Sequence, residues 1–135
     1  MITVRGVLVA LTVIAAGIGC SGQATSPNPP SPGSAVVSLA TPNIDDGAVV
    51  VTLRGPGLTT LQSTFSSNVF YSRLVGDSAR IILVGNLGAG PLFTFKFGTG
   101  AALSAYTATV EQVATRSDSL HASTTGYHLT VSAAP

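Results

Sequence analysis

Residues 92–97 read LFTFKF, and this short run decides the fold. In an extended chain, successive side chains point to opposite sides, so Phe93, Phe95 and Phe97 share one face and Thr94 and Lys96 the other. The same rhythm recurs outward from it. AYTATVEQV (105–113) alternates Tyr106, Ala108 and Val110 with Thr107, Thr109 and Glu111, and YHLTV (127–131) alternates Tyr127, Leu129 and Val131 with His128 and Thr130. Strands of this kind belong to antiparallel sheets with one face buried. AVVVTL (48–53) and RIILVG (80–85) are nearly continuous in apolar residues. They suit central strands, or strands whose second face is also covered.

The spacing predicts strands over 35–40, 48–54, 60–65, 69–75, 79–85, 91–97, 105–114 and 126–132, with no window of helical periodicity. Glycine, proline, asparagine and aspartate punctuate them. TPNIDDGA (41–48) and GNLGAGP (85–91) supply Asx side chains and glycines that favour chain reversal, and both are expected as loops at the ends of the fold. A parallel α/β fold needs helices between strands, and the spacing leaves no room for them. The fold class is therefore all-β: a single antiparallel β-sandwich of about seven to eight strands, over residues 35–135.

Ahead of this domain the composition changes twice. Residues 1–19 hold Arg5, an apolar run from Gly6 to Ile18, and small residues leading to Cys20. A membrane-spanning helix needs about 20 apolar residues, so a run this short reads as the core of a secretory signal helix. Gly6, Gly17 and Gly19 weigh against the alternative, a buried core helix. Residues 20–34 follow with Pro27, Pro29, Pro30 and Pro32 among Ser, Gly and Asn. Such a stretch buries too little apolar surface to offset the entropy of ordering, which predicts a disordered, partly polyproline-like linker. Cys20 is the only cysteine, so no disulfide within one chain is possible.

The ending GIGC (17–20) resembles the lipobox of bacterial lipoproteins. That resemblance implies cleavage before Cys20, a diacylglyceryl group on its sulfur and an acyl chain on its amine. One acyl chain binds membranes only marginally, at about 0.8 kcal/mol per buried CH₂, whereas two or more anchor stably. Ser21 in the next position implies sorting to the outer membrane. The domain itself resembles the cohesin-like β-sandwiches of secreted and cell-surface bacterial proteins, on the order GAVVVTLRGPG, ARIILVGNLGAGPLFTFKF, VEQVATRSDSL and YHLTVS. An immunoglobulin-like sandwich fits nearly as well, although its Cys…Trp…Cys signature is missing. No functional residue is carried over from either resemblance.

Candidate chemistry is sparse. Arg54, Arg73, Arg80, Lys96 and Arg116 balance Asp45, Asp46, Asp77, Glu111 and Asp118, which leaves no basic stripe for nucleic acid. Ser117, Asp118, Ser119 and His121 lie close in sequence, but a triad is defined by geometry and there is no G-x-S-x-G elbow, so a polar turn is expected. His121 and His128 are too few for a zinc site and are expected at the surface. Asp45 and Asp46, with Asn43, could offer oxygens to calcium, yet fall short of the roughly six to eight it takes, and a plain turn is expected. GNLGAG lacks the following helix of a phosphate loop. Phe70 and Tyr71 must point to opposite faces of their strand, so Tyr71 is the candidate ligand-facing aromatic.

These readings predict a lipid-anchored binding or scaffold module of the cell envelope, non-enzymatic, without cofactor or metal. Its partners would be the membrane, through the lipid on Cys20, and an envelope protein or polysaccharide. The alternatives are a carbohydrate-binding or adhesion module and, third, a small hydrolase using Asp118 and His121.

Overall fold

The computed structural model describes residues 33–64 and 69–135. Cys20, the signal segment and nearly all of the linker lie outside the described residues. Eight strands form: β1 (Gly33–Ala40), β2 (Asp46–Arg54), β3 (Leu58–Ser63), β4 (Val69–Val75), β5 (Ser78–Val84), β6 (Gly90–Phe97), β7 (Thr107–Thr115) and β8 (His128–Ala133). Among the described residues one 3₁₀ turn, Leu103–Ala105, precedes β7. The strands make two four-stranded antiparallel sheets, sheet A in the order β3-β6-β1-β8 and sheet B in the order β4-β5-β2-β7. The described residues form an all-β sandwich. Among the described residues no helix is long and apolar enough to cross a membrane.

The phenylalanines of β6 meet Val49, Val51 and Leu53 of β2 and Ile81 and Leu83 of β5 in the core, where every one of these side chains is buried. The two nearly continuous apolar runs prove to be the central strands of sheet B, paired directly to each other. Their alternation survives in the burial: Val49, Val51 and Leu53 are buried, while Ala48, Val50 and Thr52 are only half-buried on the outer face.

Register shifts break the period of two at four places among the described residues, two of them within the core strands. Between β1 and β6 the register steps from Val37–Phe93 to Ser38–Pro91, so Leu92 is the extra residue and lies buried next to Phe93. Between β2 and β7 the register steps from Val51–Val110 to Val50–Gln112 around Glu111. That slip is why the inward series Tyr106, Ala108, Val110 continues at Val113. β1 begins at Gly33, ahead of the expected start at Ala35, because Gly33 and Ser34 pair with Phe97 and Lys96.

A tyrosine closes each end of the sandwich. At the end holding Gly33, Leu58, Phe97 and Val75, Tyr106 packs against the rings of Phe95 and Phe97 at centroid distances of 5.1 and 5.2 Å and donates to the Pro56 carbonyl at 2.5 Å. At the other end, Tyr127 donates to Asp46. Each ring fills apolar space and each hydroxyl keeps a polar partner, as a buried tyrosine requires. The chain therefore joins the sandwich, at Gly33, at the end opposite Asp46.

Candidate functional site

Asp46 is the one buried charged residue among those described, with 0% exposure. It opens β2, directly after the TPNID loop (41–45), and three loops converge on it. From the β1–β2 loop, Thr41 donates its hydroxyl to Asp46 Oδ2 at 2.5 Å, and accepts the backbone N–H of Asn43 at 3.0 Å. From the β7–β8 loop, Tyr127 donates to Oδ1 at 2.8 Å and His121 Nε2 lies 3.1 Å from the same oxygen. From the β5–β6 loop, the backbone N–H of Leu87 donates to the Asp46 carbonyl at 3.1 Å. Asn43 Nδ2 completes the chain by donating to the Tyr127 hydroxyl at 2.6 Å.

The carboxylate is thereby solvated by protein donors in place of water, which is what a buried charge needs. Against an acceptor carboxylate, His121 Nε2 is a donor. Burial, foremost, raises the Tyr127 hydroxyl above its ordinary value of 10.0; the Asp46 carboxylate pushes the same way, while the Asn43 and Thr41 donors pull against it.

Local backbone explains how His121 arrives there. β7 turns back at Thr115–Ser119, where Thr115 N–H donates to the Ser119 carbonyl and Asp118 takes a left-handed conformation, φ 63°. Leu120 then bridges to Ala114, and His121 N–H donates to the Val113 carbonyl. Arg116 pins the neighbouring loop, its backbone N–H on the Asp45 carbonyl at 2.9 Å and its guanidinium on the Ile44 carbonyl at 2.6 Å.

Several sequence expectations meet these positions. Asp118 sits in a polar turn, as expected, and among the described residues the carboxylate that pairs with His121 is Asp46. His128 is exposed as expected, whereas His121 is only partly so: its side chain keeps 22% exposure because it packs over Asp46 and the Tyr127 ring. Among the described residues no hydroxyl is hydrogen-bonded to the His121 ring. Asp45, Asp46 and His121 hold one possible ligand atom each within 4.8 Å of one another. The Asp46 oxygens in that set already accept three donors, and Asn43 directs its amide to Tyr127. The arrangement is a clamp that fixes three loops.

The second candidate site is the outer face of sheet B. Register places Val69, Val84 and Ala48 in one row and Tyr71, Ile82 and Val50 in the next. Tyr71 is 54% exposed. Phe70 points the other way and packs against the core, its ring 6.3 Å from that of Phe93. A polar row follows, with Arg73 opposite Arg80 and Arg80 opposite Thr52. Arg80 pairs with Glu111 at 3.2 Å, and Thr52 also donates to Glu111. Half of this face is thus apolar and half carries ions, whereas a solvated sheet face is ordinarily polar throughout.

The signal for this face lay in the sequence as the continuous apolar character of AVVVTL and RIILVG. The Asp46 clamp had no such signal: its hydrogen-bonded members are up to 84 residues apart. Comparison with protein-family models, with curated proteins and with solved structures found no match.

Proposed function

We propose that this chain is a lipid-anchored binding or scaffold module of the cell envelope, non-enzymatic, held at the outer membrane by acyl chains on Cys20. Its ligand is taken by the outer face of sheet B around Tyr71. The observation that carries this reading is the half-apolar outer face, with Tyr71, Val69 and Ile82 bordered by Arg73 and Arg80. Exposed apolar patches rimmed by polar groups mark interaction surfaces, and tyrosine and arginine are the residues that most often dominate binding energy.

A flat face with an exposed tyrosine also suits a sugar ring, so a polysaccharide is the second reading, and the Tyr71 platform is the observation that favours it. The GIGC ending and the proline-rich linker support the anchor. A tether that meets the sandwich at Gly33 would leave the Asp46 loops at the far end, and the sheet B face to the side.

The test places a photoactivatable amino acid at position 71 or, as a control, at position 130 on the outer face of sheet A, and irradiates intact cells. The expected result is an adduct at 71 that is absent at 130. A peptide mass identifies a protein partner, and a glycan mass identifies a polysaccharide. Equal labelling at both positions, or none at 71, rejects the face as the binding surface.

A further inference from the structure

Edge strands expose unpaired N–H and C=O groups, and proteins usually blunt them with bulges, prolines, charges or short length. Among the four edge strands here, β3 carries a register shift between Thr59 and Gln62, with Thr60 at φ 45°, and β7 carries the bulge at Glu111. β8 is regular, but its outward residues His128, Thr130 and Ser132 are polar. β4 differs from all three. Its seven residues pair with β5 without a register shift, it has no proline, and Val69, Tyr71, Leu74 and Val75 are large apolar side chains left exposed. Its one charge, Arg73, faces Arg80 across the strand pair and has no ion-pair partner among the described residues, Arg80 being taken by Glu111. Like charges directly opposite one another are destabilising.

We propose that β4 pairs antiparallel with β4 of a second copy, about a two-fold axis at Ser72, joining the two B sheets into one eight-stranded sheet. The sequence VFYSRLV (69–75) is complementary to itself about that centre. Directly opposite residues share a face, so Val69 of one copy meets Val75 of the other and Tyr71 meets Arg73, twice over by symmetry. Each Arg73 gains an aromatic ring that takes a cation on its face, which answers its juxtaposition with Arg80. Phe70 and Leu74 meet on the inner side. The pairing leaves the Tyr71 face open to solvent and doubles its width, and it holds whether or not Cys20 is lipidated.

Directly opposite residues in antiparallel strands have Cα atoms about 4.5–5.5 Å apart, within the span of roughly 4.4–6.8 Å that a disulfide bridges. The experiment is therefore disulfide trapping of the full chain in cells, with Ser72→Cys. The wild-type chain, whose only thiol is Cys20, and a Thr130→Cys chain are the controls. The expected result is a dimer on a non-reducing gel for Ser72→Cys beyond both controls. Adding Tyr71→Lys sets lysine against arginine at two symmetric positions and lowers the trapped fraction at least about tenfold. Adding Arg73→Glu to that chain makes both contacts lysine–glutamate and restores trapping. A Ser72→Cys chain that folds but traps no more than the controls overturns the proposal. So does a charge-swapped chain that folds but fails to recover, since this register sets position 71 of one copy opposite position 73 of the other.

Discussion

Replacing Asp46 tests the clamp that organises one end of the sandwich. Its carboxylate accepts from Thr41, Tyr127 and His121 and is fully buried. A hydrogen bond to a charged group contributes about 1.5–3 kcal/mol, and a buried donor left unpaired incurs its desolvation cost. Thr41 and His121 are partly exposed and can turn to water, but Tyr127 is enclosed and cannot. Losing these bonds, with the Tyr127 donor left unpaired, sets the loss expected for Asp46→Ala at about 3–5 kcal/mol. A domain of this size has about 5–15 kcal/mol in all, so at least a fifth of its stability would go. Asp46→Asn should cost much less, about 1–2 kcal/mol. Its retained oxygen still accepts from Tyr127 and His121, and the Thr41 hydroxyl can reverse to accept from the new amide.

Urea unfolding followed by far-ultraviolet circular dichroism measures both, since the chain has no tryptophan. In a Tyr127→Phe background the cost of Asp46→Ala should shrink by about 1–2 kcal/mol, because the two residues share one hydrogen bond. An Asp46→Ala chain within about 1 kcal/mol of wild type, or a cost unchanged in the Tyr127→Phe background, would show that the carboxylate does not hold this end of the sandwich.

Alkaline pH should weaken the fold. Burial, foremost, raises the hydroxyls of both Tyr106 and Tyr127 above 10.0, with the Asp77 charge adding to the first. The unfolded chain then ionises first, so their contribution is intact below pH 10 and is lost as pH rises through the folded values; Tyr106→Phe with Tyr127→Phe should flatten that decline in urea midpoints. Gly47→Ala should destabilise by about 1–3 kcal/mol in the same assay. A Cβ there would sit 2.7 Å from the Arg116 Cα and 2.9 Å from the Thr115 carbonyl oxygen, both backbone atoms that cannot swing aside. Tyr71→Ala should leave stability within about 0.5 kcal/mol while abolishing adduct formation from a probe placed at its neighbour Ile82.

The architecture was legible because it rests on a local signal. Phe93, Phe95 and Phe97 declare a strand wherever they are read, and the glycine and Asx turns bound it. The strand ends moved by a residue or two where pairing partners decide them, as at Gly33. The bulges at Leu92 and Glu111 were not legible, because an extra residue shows itself only against the opposite strand. The clamp was hidden for a related reason. His121 was read beside Asp118, its neighbour in sequence, but the turn at Thr115–Ser119 carries it back to Asp46, which is set by sheet pairing 75 residues away. Tyr71 was legible as one of two adjacent aromatics on opposite faces; which of them faced solvent was decided by the core around Phe70.

Intact mass spectrometry of the chain extracted from membranes tests whether Cys20 carries lipid, with Cys20→Ala as control. The expected result is a mature species beginning at Cys20 and carrying the added mass of its acyl chains, absent from the control. A chain recovered without lipid, or cleaved elsewhere, would contradict the anchor and with it the reading of this sandwich as an envelope-bound module.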